Sequence, residues 1–168
     1  MLGVSLLFVG LVLINNGICN LTHIDNKSTA VVDVFVGGLR LFISFVTLVQ
    51  GNYYAAGTGL LFCFTYLFVA ISNLFQLRSN AFSWFCTFVA INAVVFGTIE
   101  GFIGNEALGI VPDWRWGVIW YWWAILWSTG FIEDICGKKL GRFTPCLQIF
   151  EGITTAWIPG VLILPKLW

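Results

Sequence analysis

Apolar residues run along this chain in six blocks of about 20, the length needed to cross a bilayer core. They cover residues 1–19, 30–50, 54–76, 81–103, 114–136 and 145–168. Polar residues gather between them in short links, 20–29, 51–53, 77–80, 104–113 and 137–144. Links this short make successive helices antiparallel neighbours. The pattern therefore predicts an all-α integral membrane protein, six transmembrane helices in a bundle of three hairpins. Residues 1–168 read as a single six-helix transmembrane domain. Ser28 and Thr29 can cap the second helix, Asp113 the fifth, and Thr144 with Pro145 the sixth. Gly51 and Gly137 mark helix exits.

Composition strengthens this reading. The chain is 59% hydrophobic and 10% charged, with mean hydropathy +0.91, whereas a soluble domain carries about 25% charged residues. Net charge is zero, which leaves no basic footprint for nucleic acid. The N-terminal MLGVSLLFVG lacks the positive region and cleavage site of a signal peptide and is expected to stay as the first span. Five scattered cysteines without CxxC spacing, and one histidine (His23), argue for buried thiols and against a metal site or cofactor. There is no Ser/His/Asp set, P-loop or HExxH, so no enzyme is expected.

Orientation follows the basic residues. The odd-numbered links carry Lys27, Arg78, Lys138, Lys139 and Arg142. The even-numbered ones carry only Glu106 and Asp113, with Arg115 just inside the next helix. The positive-inside rule puts the odd links in the cytoplasm and both termini outside.

Candidate chemistry concentrates in the fifth and sixth segments. Six of the nine tryptophans lie between Trp114 and Trp127. Trp116, Trp120, Trp123 and Trp127 follow i, i+4, i+7, i+11 spacing, a strip about 60° wide and roughly 16 Å long on a helix. Such a strip is either the wall of a narrow slot, with aligned flat faces and N–H donors, or aromatic packing between helices. Glu151, inside the sixth segment, costs on the order of 3 kcal/mol as an ionised group by insertion scales. It needs a partner, a water-filled cavity or a proton. Pro159 deprives the Thr155 carbonyl of its i+4 donor. One face of an α-helix would thus offer a carboxylate, a hydroxyl and a free carbonyl, unless these groups satisfy one another. Asp33 and Arg40, seven apart in the second segment, read as structurally paired or snorkelling. Gly37-Gly38 and Gly57-x-Gly59 allow close backbone approach. Leu2, Leu6, Val9 and Leu13, and likewise Phe62, Tyr66, Val69 and Asn73, form stripes that suit either a packing seam or a pore wall.

The runs LINNGICNLTHIDNKSTAV, VFVGGL, TGLLFCFTYLFVAI, SWFCTFVAIN and ILWSTGFIEDICGKKLGRFTPCLQIFEGITTAWIP resemble, in order and over the whole chain, the AmiS/UreI family of bacterial urea and short-chain amide channels. The resemblance implies a six-helix protomer with its own pore, assembled as a hexamer in the inner membrane. Urea would pass down its gradient to a cytoplasmic urease. It assigns Trp116, Trp120, Trp123, Trp127 and Leu126 to the pore in the fifth helix, and Glu151 in the sixth. Leu2, Leu6, Val9 and Leu13 match the family's first-helix lining. Phe62 and Tyr66 match the third-helix aromatics, with Phe64 and Phe68 as the other register.

Proton-gated members carry a long, His-rich outer link between helices two and three. Here that link is 51–53, so a channel without acid gating is expected. Its mechanism would slide planar urea edge-on between aromatic faces, with indole N–H groups and backbone carbonyls serving its rim. Glu151 and Thr155 would contribute contacts, and ions would be rejected for want of groups to replace their hydration. Water and ammonia would pass as well. The alternatives are a channel for short aliphatic amides feeding an amidase and, of a different class, a non-transporting membrane scaffold subunit.

Overall fold

The computed structural model describes residues 1–77 and 80–168. Arg78, one of the residues behind the expected orientation, lies outside them. Long helices dominate: α1 (Leu2–Thr22), α2 (Asn26–Val49), α3 (Tyr53–Phe75), α4 (Ala81–Thr98) and α5 (Trp114–Gly130). A π turn, Ile99–Ile103, prolongs α4, and another, Phe131–Ile135, prolongs α5. The last helical run joins α6 (Phe143–Glu151) through a π segment, Gly152–Trp157, to α7 (Ile158–Ile163). Among the described residues there is no strand, only an isolated bridge between Asn105 and Ile110. Five of the six runs are long and apolar enough to cross a membrane. The other, α5, has 17 residues of α-helix before its π turn.

Two compact units make up the chain: residues 1–79 with 142–168, and residues 80–141. In the first, α2 and α3 form a tight hairpin. A Cβ on Gly37 would stand 2.7 Å from Leu67, and one on Gly59 2.6 Å from the Ser44 hydroxyl. Gly38 and Gly57 face open space, so only half of the expected close approach is used. The first helix packs mainly against the last. Gly3, Gly10 and Gly17 recur every seven residues on α1, and each meets the α6–α7 run. A Cβ on Gly10 would fall 2.7 Å from the Trp157 backbone, and one on Gly160 2.5 Å from the Leu7 nitrogen. Small residues let backbones approach where lipid supplies no hydrophobic drive for packing.

The second unit is the α4/α5 hairpin. It is fastened at one end by Ser83 donating to Asp134, and near the other by Thr98 with Tyr121 at 3.0 Å.

Helix ends differ from the expected ones in two places. The second helix starts at Asn26, and its cap is Asp25, whose Oδ1 accepts the Ser28 N–H at 2.9 Å. Ser28 and Thr29 therefore belong to the first turn, because a carboxylate three residues upstream already serves the orphan N–H. Hydrogen bonds from the Ser28 side chain and from its backbone N–H hold the Asp25 carboxyl below its ordinary pKa. The sixth helix starts at Phe143, with Arg142 in the cap position. Pro145 sits third, still in the first turn, where its missing N–H costs nothing. The fifth-helix cap is as expected: Asp113 Oδ1 accepts the Arg115 N–H at 3.0 Å. Gly51 and Gly137 leave their helices at φ +80 and +67.

Candidate functional site

In the second unit, α5 turns one face inward. Trp120, Trp123 and Trp127 are buried and Trp116 and Leu126 half-buried, whereas Trp114 is 65% exposed and Trp122 is also exposed. Burial thus separates the strip from the two other tryptophans as helical direction does. The rings, however, are not stacked in parallel. Trp120 and Trp123 meet edge to face, 5.1 Å between centroids at 82°, the arrangement that ring quadrupoles favour. Nor are all the N–H donors available: Trp120 Nε1 donates to Glu100 Oε2 at 2.9 Å. The expected picture of aligned faces and open donors is corrected on both counts. Side chains from α4 and from the π turn that prolongs it, Phe96 and Glu100, reach Trp120 in the strip.

Glu100 escaped the sequence reading. The signal was present, since an acidic residue lay inside an apolar block expected to run to residue 103. Glu133 and Asp134 in the π turn after α5 were also passed over. Glu133 accepts the Leu140 N–H at 3.2 Å, and Asp134 takes the Ser83 hydroxyl.

In the first unit, Leu6, Val9 and Leu13 are buried, while Leu2, at the start of α1, is 51% exposed. Phe62 and Tyr66 are buried, Phe68 is half-buried and Phe64 is 47% exposed, so the inward pair of α3 is Phe62 and Tyr66. Val69 and Asn73 are half-buried.

Glu151 has no exposed surface, and neither carboxylate oxygen has a hydrogen-bond partner among the described residues. Thr155 is buried beside it, but its hydroxyl donates to the Glu151 carbonyl at 2.6 Å. The residues after Glu151 wind as a π segment, with the Ile158 N–H reaching the Ile153 carbonyl. This corrects the expected face of carboxylate, hydroxyl and free carbonyl. An i+5 register takes up an extra residue ahead of Pro159, and the hydroxyl is committed to the backbone.

Asp33 and Arg40 are both buried and each finds its own partner. Asp33 Oδ1 accepts from Asn16 Nδ2 at 2.8 Å. Arg40 Nη2 donates to the Gly59 carbonyl at 3.2 Å, and its guanidinium lies 5.1 Å from the Phe62 ring centre. Among the described residues no group of three His, Cys, Asp or Glu gathers as for a metal.

Apolar helices of spanning length, glycine-mediated crossings and an unmatched carboxylate inside a helix pair define an integral membrane protein with polar chemistry at its core. The match to known proteins narrows this class. The family described as AmiS/UreI family transporter covers residues 1–167, and the chain belongs to that family, as the sequence resemblance implied. It is 43% identical, over the full length of both chains, to an acid-activated urea channel of Helicobacter pylori. It is 34% identical to a putative amidate substrates transporter protein of Mycolicibacterium smegmatis, covering 99% of this chain and 78% of that one. Its fold is similar to the cryoEM structure of the H. pylori urea channel in a closed state, with TM-score 0.91, 44% identity and full coverage of both chains.

Proposed function

We propose that this chain is a passive channel of the bacterial cytoplasmic (inner) membrane, conducting urea down its gradient to a cytoplasmic urease. The observation that carries the reading is Glu151, a carboxylate with no exposed surface and two unmatched acceptor oxygens. Leaving buried acceptors empty is costly. A neutral solute rich in N–H donors relieves that cost transiently, and urea carries four. The 43% identity with a urea channel supports the same substrate.

The path residues are those that the family resemblance assigns, Leu2, Leu6, Val9, Leu13, Phe62, Tyr66, Trp116, Trp120, Trp123, Leu126, Trp127 and Glu151, joined by Thr155, which is buried one turn after Glu151. Aromatic edges and faces strip part of the hydration from a flat solute, and Glu151 accepts its amide N–H groups. An ion finds too few charges to replace its water. Water and ammonia are small enough to accompany urea. Residues 1–168 act as one six-helix protomer within a homohexamer, with both termini outside.

The channel is not acid-gated in this reading. Only Gln50–Asn52 separates α2 from α3, and the alignment with the acid-activated relative extends over 195 positions against 168 residues here. The lone histidine, His23, falls in the link after α1, on the expected cytoplasmic side.

A second reading, conduction of short aliphatic amides, is favoured by the 34%-identical amidate transporter. Stopped-flow light scattering on proteoliposomes, with urea and acetamide as solutes, ranks the two. Protein that conducts neither favours a scaffold subunit. Trp127→Ala or Glu151→Gln channels that insert normally and pass urea like the wild type would refute the path assignment.

A further inference from the structure

The carboxylate of Glu100 is held in place by backbone as much as by its own side chain. Glu100 lies in the π turn that ends α4. Its carbonyl accepts the Asp113 N–H at 2.9 Å, which ties this turn to the cap of α5. The next residue, Gly101, lets α4 come so near α5 that a Cβ there would stand 2.6 Å from the Gly117 Cα. The side chain is thereby delivered to Trp120, whose N–H it accepts at 2.9 Å. The Trp120 ring also meets Phe96 at 5.5 Å and Trp123, edge to face, at 5.1 Å.

An indole has one donor and no acceptor. With that donor engaged by a carboxylate, Trp120 presents only ring carbon to anything passing it. Its rotation is also opposed by that hydrogen bond.

We propose that Glu100 is a positioning residue for conduction: it locks the Trp120 ring as a rigid wall and so sets both the urea permeability and the discrimination between urea and larger amides. This rests on the urea-channel reading above. Trp120 acts as a surface and gives no hydrogen bond to the solute.

The test uses full-length protein in liposomes, with stopped-flow permeabilities for urea and acetamide. Glu100→Gln keeps an oxygen acceptor and is expected within about two-fold of wild type. Glu100→Ala leaves the indole N–H unmatched and should lower urea permeability about ten-fold, with a smaller urea-to-acetamide ratio as the ring is freed. Trp120→Phe keeps a ring without the N–H and should show a similar loss, and the double variant should be no worse than the poorer single one.

Unchanged permeability and ratio in Glu100→Ala, additive losses in the double variant, or a Gln variant as damaged as the Ala variant each overturn the proposal. Should Glu100→Ala fail to fold, Glu100→Gln and Trp120→Phe still decide it. The first must conduct like wild type and the second must not; any other outcome rejects the lock. A wild-type protein impermeable to urea overturns the channel reading and this inference with it, and is seen before any variant is compared.

Discussion

Gly101 and Gly117 bring the backbones of the α4 run and α5 into direct contact, leaving no room for a Cβ on either: one on Gly101 would lie 2.6 Å from the Gly117 Cα, and one on Gly117 3.0 Å from the Gly101 Cα. The obstacle is backbone and cannot rotate away. Gly101→Ala should therefore lower the thermal stability of the detergent-solubilised protein, by about 1–3 kcal/mol, as overpacking typically does. Gly38→Ala, which meets nothing within 4 Å, serves as the control and should melt with the wild type. Equal melting of the two variants would show that the α4/α5 crossing is looser than described.

Glu151 sets function against stability. Its two oxygens are buried and unmatched, so replacing it with the similarly sized, apolar Met should raise the melting temperature while abolishing most urea conduction. A Glu151→Met protein that melts well below wild type would mean that the carboxylate is a structural tie.

Arg40 is expected to behave in the opposite way. It bonds the Gly59 carbonyl at 3.2 Å and covers the Phe62 ring, so its stem and head both join α2 to α3. Arg40→Ala should cost roughly 2–4 kcal/mol through lost packing and the lost hydrogen bond between the two helices. Arg40→Met, which refills the space, should recover part of that loss. Thermal unfolding of the pair checks the order.

In the link before α5, Arg115 is hydrogen-bonded to Asp113 and holds its carboxyl below the ordinary value of 3.8. A depressed folded-state pKa means that the stabilisation is fully present above the unfolded value and is lost only as pH falls through the folded one. The cap of α5 thus keeps its charge throughout pH 5–7. On the ungated reading proposed above, urea flux into proteoliposomes should change less than about two-fold between external pH 7 and 5. A rise of several-fold would point to acid gating.

Much of this protein is legible in its residue order. Six helical runs, five short links, the Asp113 cap and the glycine exits follow from length and local chemistry. The direction of Trp120, Trp123 and Trp127, opposed to that of Trp114 and Trp122, follows from 100° per residue alone. The EGITTAWIP run and its companions carry the family. Some readings failed for local reasons: Asp25 outcompetes Ser28 as a cap, and a π segment replaces the α register around Thr155.

Other features had no sequence signal strong enough to find them. In a chain whose helices are apolar on every side, hydrophobic periodicity cannot tell a face that meets lipid from one that meets another helix. Only the packed structure distinguishes Phe62 and Tyr66 from Phe64 in α3. It also sets the pairing of α1 with the last helix along Gly3, Gly10 and Gly17. The bond from Trp120 to Glu100, 20 residues earlier in the chain, belongs to the same class. It requires the close glycine crossing of α4 and α5 to bring donor and acceptor within 2.9 Å. Local chemistry determined the spans and the carboxylates within them; tertiary contact decided which groups each carboxylate meets.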